Sequence, residues 1–155
     1  MSFATVPNPI PARMKGLNRA EICDVNFSEF VKGWAGTPQS KPAPGEAILE
    51  GSALTAQGFR DLFESQLISR HLDLMARVLR VQNKVFYTIG SSGHEGNAMV
   101  ARAARHTDPA FLHYRSGGFI TERFRKLPGM NPIMDSALSF AASAEDPASD
   151  GRHKV

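Results

Sequence analysis

The stretch TAQGFRDLFESQLISRHLDLMARVLRVQNK, residues 55–84, decides the fold class. It holds no proline and is rich in Leu, Arg, Gln and Met, all good helix formers. Phe59, Leu62, Phe63, Leu67, Leu74 and Val78 recur at helical spacing, and Ile68, Leu72, Met75 and Leu79 form an adjacent stripe. Together they predict one long amphipathic helix with a wide apolar face. Arg60, Asp61, Glu64, Arg77 and Arg80 lie opposite, and Asp73 and Arg77 stand four residues apart. Such a helix must bury its stripe, so it reads as scaffold.

Upstream, residues 1–53 carry Pro7, Pro9, Pro11, Pro38, Pro42 and Pro44 with Gly33, Gly36, Gly45 and Gly51. Proline removes a backbone donor and glycine raises the entropy lost on ordering, so this segment reads as an irregular arm. Within it Phe27, Phe30, Val31 and Trp34 suggest a turn of helix that docks aromatics on the body, or else a partner-binding peptide.

Downstream, Val85 to Ile89 is a short β-prone run, followed by Gly90-Ser91-Ser92-Gly93-His94-Glu95. Ser92 and Glu95 have capping-box spacing, which predicts a helix from near Gly93 through Arg105. Thr107-Asp108-Pro109 stops it, Ala110 to Tyr114 reads as a buried strand, and Ser116-Gly117-Gly118 opens a helix toward Arg125. Pro128, Gly129 and Pro132 break the pattern before a short helix over Ile133–Ser143. The remainder, 146–155, reads as loop.

The chain of 155 residues suits one modest domain plus an arm. A formal charge of +3, with Lys and Arg scattered among Asp and Glu, leaves no basic stripe for nucleic acid. Cys23 is the single cysteine, so no internal disulfide can form and a cytoplasmic setting is expected. No apolar run approaches the ~20 residues of a membrane helix, and no signal-peptide pattern opens the chain. The five histidines lack metal-ligand spacing, so no transition metal is expected.

Chemistry is expected at the two strand-to-helix junctions, where helix N-termini favour anions and glycine lets a ligand approach the backbone. At Tyr114-Arg115-Ser116-Gly117-Gly118 the guanidinium could pair with a phosphate oxygen and the phenol could add a donor. The competing reading is a buried tyrosine beside an arginine paired to a surface carboxylate. His94, at the other junction, reads either as a general acid or anion-stabilising donor or as a plain hydrogen-bonding group. His71 and His106 read as structural.

The order of long helix, Phe86-Tyr87-Thr88-Ile89-Gly90-Ser91-Ser92-Gly93-His94-Glu95-Gly96, helix, Thr107-Asp108, then Phe111-Leu112-His113-Tyr114-Arg115-Ser116-Gly117-Gly118 resembles the alpha subunit of the pyruvate and branched-chain 2-oxo acid dehydrogenases. The resemblance covers residues 55–125 well and extends loosely to Val155. It implies a mainly α chain forming the N-terminal fragment of an α/β thiamine-diphosphate-binding fold, with 1–53 as arm and 54–155 as an incomplete dehydrogenase domain. It implies that Tyr114 and Arg115 hold the diphosphate of thiamine diphosphate, that Phe86, Tyr87 and Ser92 line the substrate side, and that His94 acts in catalysis. His94 stands where relatives carry Gln or Glu. Gly151-Arg152-His153-Lys154 weakly resembles a basic stretch reaching the active site.

The family's Gly-Asp-Gly motif and later Asn are missing, because Asp150-Gly151 follows Ser149. The resemblance therefore places the magnesium ligands outside this chain. It implies a beta subunit or fused beta domain, an oligomer, and a lipoyl-bearing acyltransferase that takes the acyl group. The alternative is a non-catalytic, truncated paralogue serving as a helical assembly module. In either case the long stripe is expected to be only partly covered.

Overall fold

The computed structural model describes residues 15–36, 41–85, 90–146 and 150–151. The chain divides into two compact units, Met1–Lys41 and Pro42–Val155. Five α-helices and no strand lie among the described residues. The mainly helical expectation holds at that level.

In the first unit, α1 spans Arg19–Gly33, four turns where the aromatic spacing suggested one. Its start is a reciprocal capping box. Asn18 Oδ1 accepts from the Glu21 amide at 3.0 Å, and Glu21 Oε2 accepts from the Asn18 amide at 2.8 Å. Phe30 and Trp34 meet at 5.5 Å between ring centroids, and both are exposed, as are Phe27 and Val31.

The second unit opens with a small loop closed by an antiparallel bridge between Ala47 and Thr55. Helix α2, Ala56–Val81, follows, with the Thr55 side chain accepting from the Gly58 amide at 3.1 Å. It ends where Asn83 turns left-handed at φ 57° and the Lys84 amide reaches back to the Leu79 carbonyl at 2.9 Å, a Schellman closure. A 3-10 turn, Glu95–Asn97, leads into α3, Ala98–Ala103. Then come α4, Gly117–Phe124, and α5, Pro132–Phe140, the latter capped by Asn131 accepting from the Met134 amide at 3.1 Å. Helix α4 packs across α2 and α3, and α5 lies against α2 and α4.

The buried side of α2 is the expected stripe only in part, through Leu62 and Leu72. Gly58, Leu62, Ser65, Ser69, Leu72, Asp73 and Ala76 face inward, while Phe59, Phe63, Met75, Val78 and Val81 are exposed. Small side chains let α4 approach closely, and the inward polar groups are hydrogen-bonded rather than stranded. Ser65 Oγ donates to Glu122 Oε2 at 2.7 Å, and Ser69 and Ser91 share a 2.7 Å bond. Apolar closure comes from Ala56, Leu62, Leu72, Ala76, Val85, Ala98, Ala101 and Phe119.

The buried strand expected over Ala110–Tyr114 is instead an exposed loop, with Phe111 fully solvent-facing. A strand needs a neighbour to pair its backbone, and no strand stands among the described residues to supply one. Most of the β-prone run, residues 86–89, lies outside the described residues, as do Phe86 and Tyr87 of the expected pocket and most of the basic stretch from Arg152.

Candidate functional site

The two junctions singled out in the sequence converge. On the first, the Asp73 carboxylate of α2 holds the chain: its Oδ2 accepts from the Ser91 amide at 2.7 Å and from Ser91 Oγ at 2.9 Å. Because Ser91 Oγ donates to Asp73, the hydrogen in the Ser69–Ser91 bond comes from Ser69. All three side chains are buried. Burial raises the Asp73 pKa above its ordinary 3.8, opposed by the Ser91 hydrogen bonds and by the positive charge of Arg70. A Cβ at Gly90 would stand 2.9 Å from Asp73 Oδ2, so glycine there admits the carboxylate.

From Ser91 the chain turns, with the His94 amide bonded to the Ser91 carbonyl at 2.7 Å and Gly93 at φ +85°, a conformation that favours glycine. The expected Ser92–Glu95 capping box does not form. The helical start is displaced to the 3-10 turn, His94 caps it without a side-chain bond, and Glu95 Oε2 accepts instead from the Gly93 amide at 2.7 Å. Ser92 and His94 are exposed on this turn.

The second junction is the turn His113–Ser116, closed by the Ser116 amide on the His113 carbonyl at 2.9 Å. The His113 ring meets the His94 ring edge-on, centroids 5.5 Å apart, and the Tyr114 ring at 5.6 Å. The Arg115 guanidinium lies over the Tyr114 ring at 5.6 Å. Its backbone amide donates to His113 Nδ1 at 3.0 Å. His94, His113, Tyr114 and Arg115 thus form a continuous surface beside the N-terminus of α4. Tyr114 is 45% exposed, not buried. Among the described residues no carboxylate lies within ion-pair distance of Arg115.

The glycines after this turn serve packing. A Cβ on Gly117 would meet Ser69 Oγ at 2.6 Å, and one on Gly118 would meet the Glu95 carbonyl oxygen at 2.9 Å. They let α4 seat against α2 and the 3-10 turn, a packing role that the sequence reading did not assign them.

A second polar cluster lies along α4. Glu122, 1% exposed, pairs with Arg102 Nη1 at 2.6 Å and sits 3.6 Å from Arg125 Nε. Arg125 Nε donates to Ser65 Oγ at 2.7 Å. Asp61, Arg102, Glu122, Arg125 and Lys126 line an open cleft of about 440 Å³. The Lys126 ammonium donates to the carbonyls of Ala101, Arg102 and Ala104, closing the C-terminus of α3. These cations already have partners, which makes the cluster a brace.

The sequence reading missed His113, Ser69, Asp73 and Ser91. For the network a signal was present: Ser65, Ser69 and Asp73 fall at four-residue intervals on one helix face, where an apolar core would exclude them. Among the described residues no group of three or more His, Cys, Asp or Glu is placed to hold a metal ion, and no helix is long and apolar enough to cross a membrane. No protein-family model, curated protein or solved structure matches the chain.

Proposed function

We propose that this chain forms one wall of the thiamine diphosphate site of a 2-oxo acid dehydrogenase, as its sequence resemblance implies. One observation carries the reading: the Ser91–Glu95 and His113–Ser116 segments meet through the His94 and His113 rings, with Tyr114 beside them and an Arg115 that no carboxylate neutralises among the described residues. The donor set suits a diphosphate, since a guanidinium and a phenol supply charge and hydrogen bonds to phosphate oxygens. The alternative of a buried tyrosine and a paired arginine finds no support in this geometry.

On this reading Arg115 and Tyr114 bind the diphosphate. His94, on the neighbouring turn, is the donor on the substrate side, with Ser92 on the same turn; the resemblance assigns Phe86 and Tyr87, which lie outside the described residues, to that side as well. When bound, thiamine diphosphate supplies the electron sink for loss of carbon dioxide from a 2-oxo acid. Magnesium ligands come from outside this chain, a beta subunit or fused beta domain completes the site, and a lipoyl-bearing acyltransferase receives the acyl group.

Arg115→Ala in the chain assembled with its partner should raise the dissociation constant for thiamine diphosphate at least about tenfold, because a charge-assisted hydrogen bond contributes about 1.5–3 kcal/mol. Isothermal titration with magnesium present measures it, and unchanged affinity would remove Arg115 from the site. The exposed stripe of Phe59, Phe63, Val78 and Val81 favours a second reading, an assembly module without catalysis. That reading predicts association with partners and no thiamine diphosphate binding in the same titration.

A further inference from the structure

We infer that His113 is the positioning residue of the Tyr114-Arg115 turn, an inference that rests on the proposed diphosphate role of that pair. His113 Nδ1 accepts the Arg115 amide at 3.0 Å, a bond from side chain i to backbone i+2. Asparagine and aspartate form the same closure when they initiate a turn. Two further bonds lock it: the Ser116 amide on the His113 carbonyl at 2.9 Å, and the His113 amide on Ser116 Oγ at 3.3 Å. Ser116 is itself buried, so the turn is anchored at its far end.

The bond also sets the state of the imidazole. With Nδ1 accepting from the Arg115 amide, Nε2 is the ring's donor atom. The ring meets both the His94 ring and the Tyr114 ring edge-on. It therefore joins the two junctions while holding the backbone that presents Arg115. Without it the turn keeps its sequence and loses the restraint on where the guanidinium points.

Asparagine separates this role from a general effect on folding, because its Oδ1 reaches the i+2 amide as histidine Nδ1 does. In the full chain, His113→Ala should speed hydrogen exchange at the Arg115 amide about tenfold, read by NMR, while His113→Asn leaves it within about twofold of the unaltered chain. In the assembled protein, His113→Ala should weaken thiamine diphosphate binding about tenfold and His113→Asn should restore it. Unchanged Arg115 exchange in His113→Ala, or equal loss of affinity in both variants, would overturn the inference. If the unaltered assembly fails to bind thiamine diphosphate, the functional reading fails, and the exchange rates still decide whether His113 holds the turn.

Discussion

Glu122→Ala should destabilise the second unit by about 3 kcal/mol, the largest effect expected of a single substitution in the brace. The carboxylate is buried, salt-bridged to Arg102 at 2.6 Å and hydrogen-bonded by Ser65 at 2.7 Å. Its removal leaves the Arg102 and Arg125 charges facing each other across an emptied site and takes the acceptor from the Ser65 hydroxyl hydrogen, while Arg125 Nε still donates to Ser65 Oγ. Arg102 is about a third exposed, so solvent screening holds the loss to the lower part of the range for buried pairs. Glu122→Gln should cost less, because the amide oxygen still accepts from Ser65. Urea unfolding measures both variants, and a lower midpoint at unchanged slope is the expected signature. A cost for Glu122→Ala below about 1 kcal/mol would mean that the cluster is a solvated surface pair.

Asp73→Ala should cost about 2–3 kcal/mol, since it strips the Ser91 amide and hydroxyl of their shared acceptor inside the protein. Asp73 also gives stability a pH dependence of definite sign. Its folded pKa lies above the ordinary 3.8, so between those two values the folded chain keeps a proton that the unfolded chain has released. Its contribution is greatest below 3.8 and declines as pH rises through the folded value, beyond which it is flat. Asp73→Asn keeps an acceptor for Ser91 and removes the titration, so it should flatten that part of the curve. Unfolding free energies across the acid range test this, and a curve unchanged by Asp73→Asn would refute it.

The helices were legible where local chemistry decides them. Thr55 ahead of a proline-free run marked α2, and Ser116-Gly117-Gly118 marked α4. The Asn18…Glu21 box was equally readable for α1, but prolines on either side drew the reading toward an irregular arm. What composition hid was which side of α2 turns inward. Apolar periodicity assigns Phe59 and Phe63 to a core, whereas the inward face holds Ser65, Ser69 and Asp73, whose burial is tolerated only because Glu122 and Ser91 supply partners distant in sequence.

The candidate site was legible in part for the same reason. Tyr114, Arg115 and His94 stood out in the sequence because the chemistry of phosphate binding and of helix starts gives local signals. The contact between His94 and His113 depends on how two loops meet, and the Asp73–Ser91 clasp that holds one of them spans 18 residues. The packing role of Gly117-Gly118 was not legible because glycine serves ligand approach and helix packing alike, and its neighbours Ser69 and the Glu95 carbonyl are distant in sequence.

The proposed role of Tyr114 and Arg115 in a thiamine diphosphate site predicts activity on 2-oxo acids. The most direct measurement purifies the chain with its bound partners and follows reduction of an artificial electron acceptor on addition of pyruvate or a branched-chain 2-oxo acid. The expected result is reduction that requires both thiamine diphosphate and magnesium and that falls sharply with Arg115→Ala at limiting cofactor. An assembly that neither binds thiamine diphosphate nor reduces the acceptor with any of these acids would contradict it.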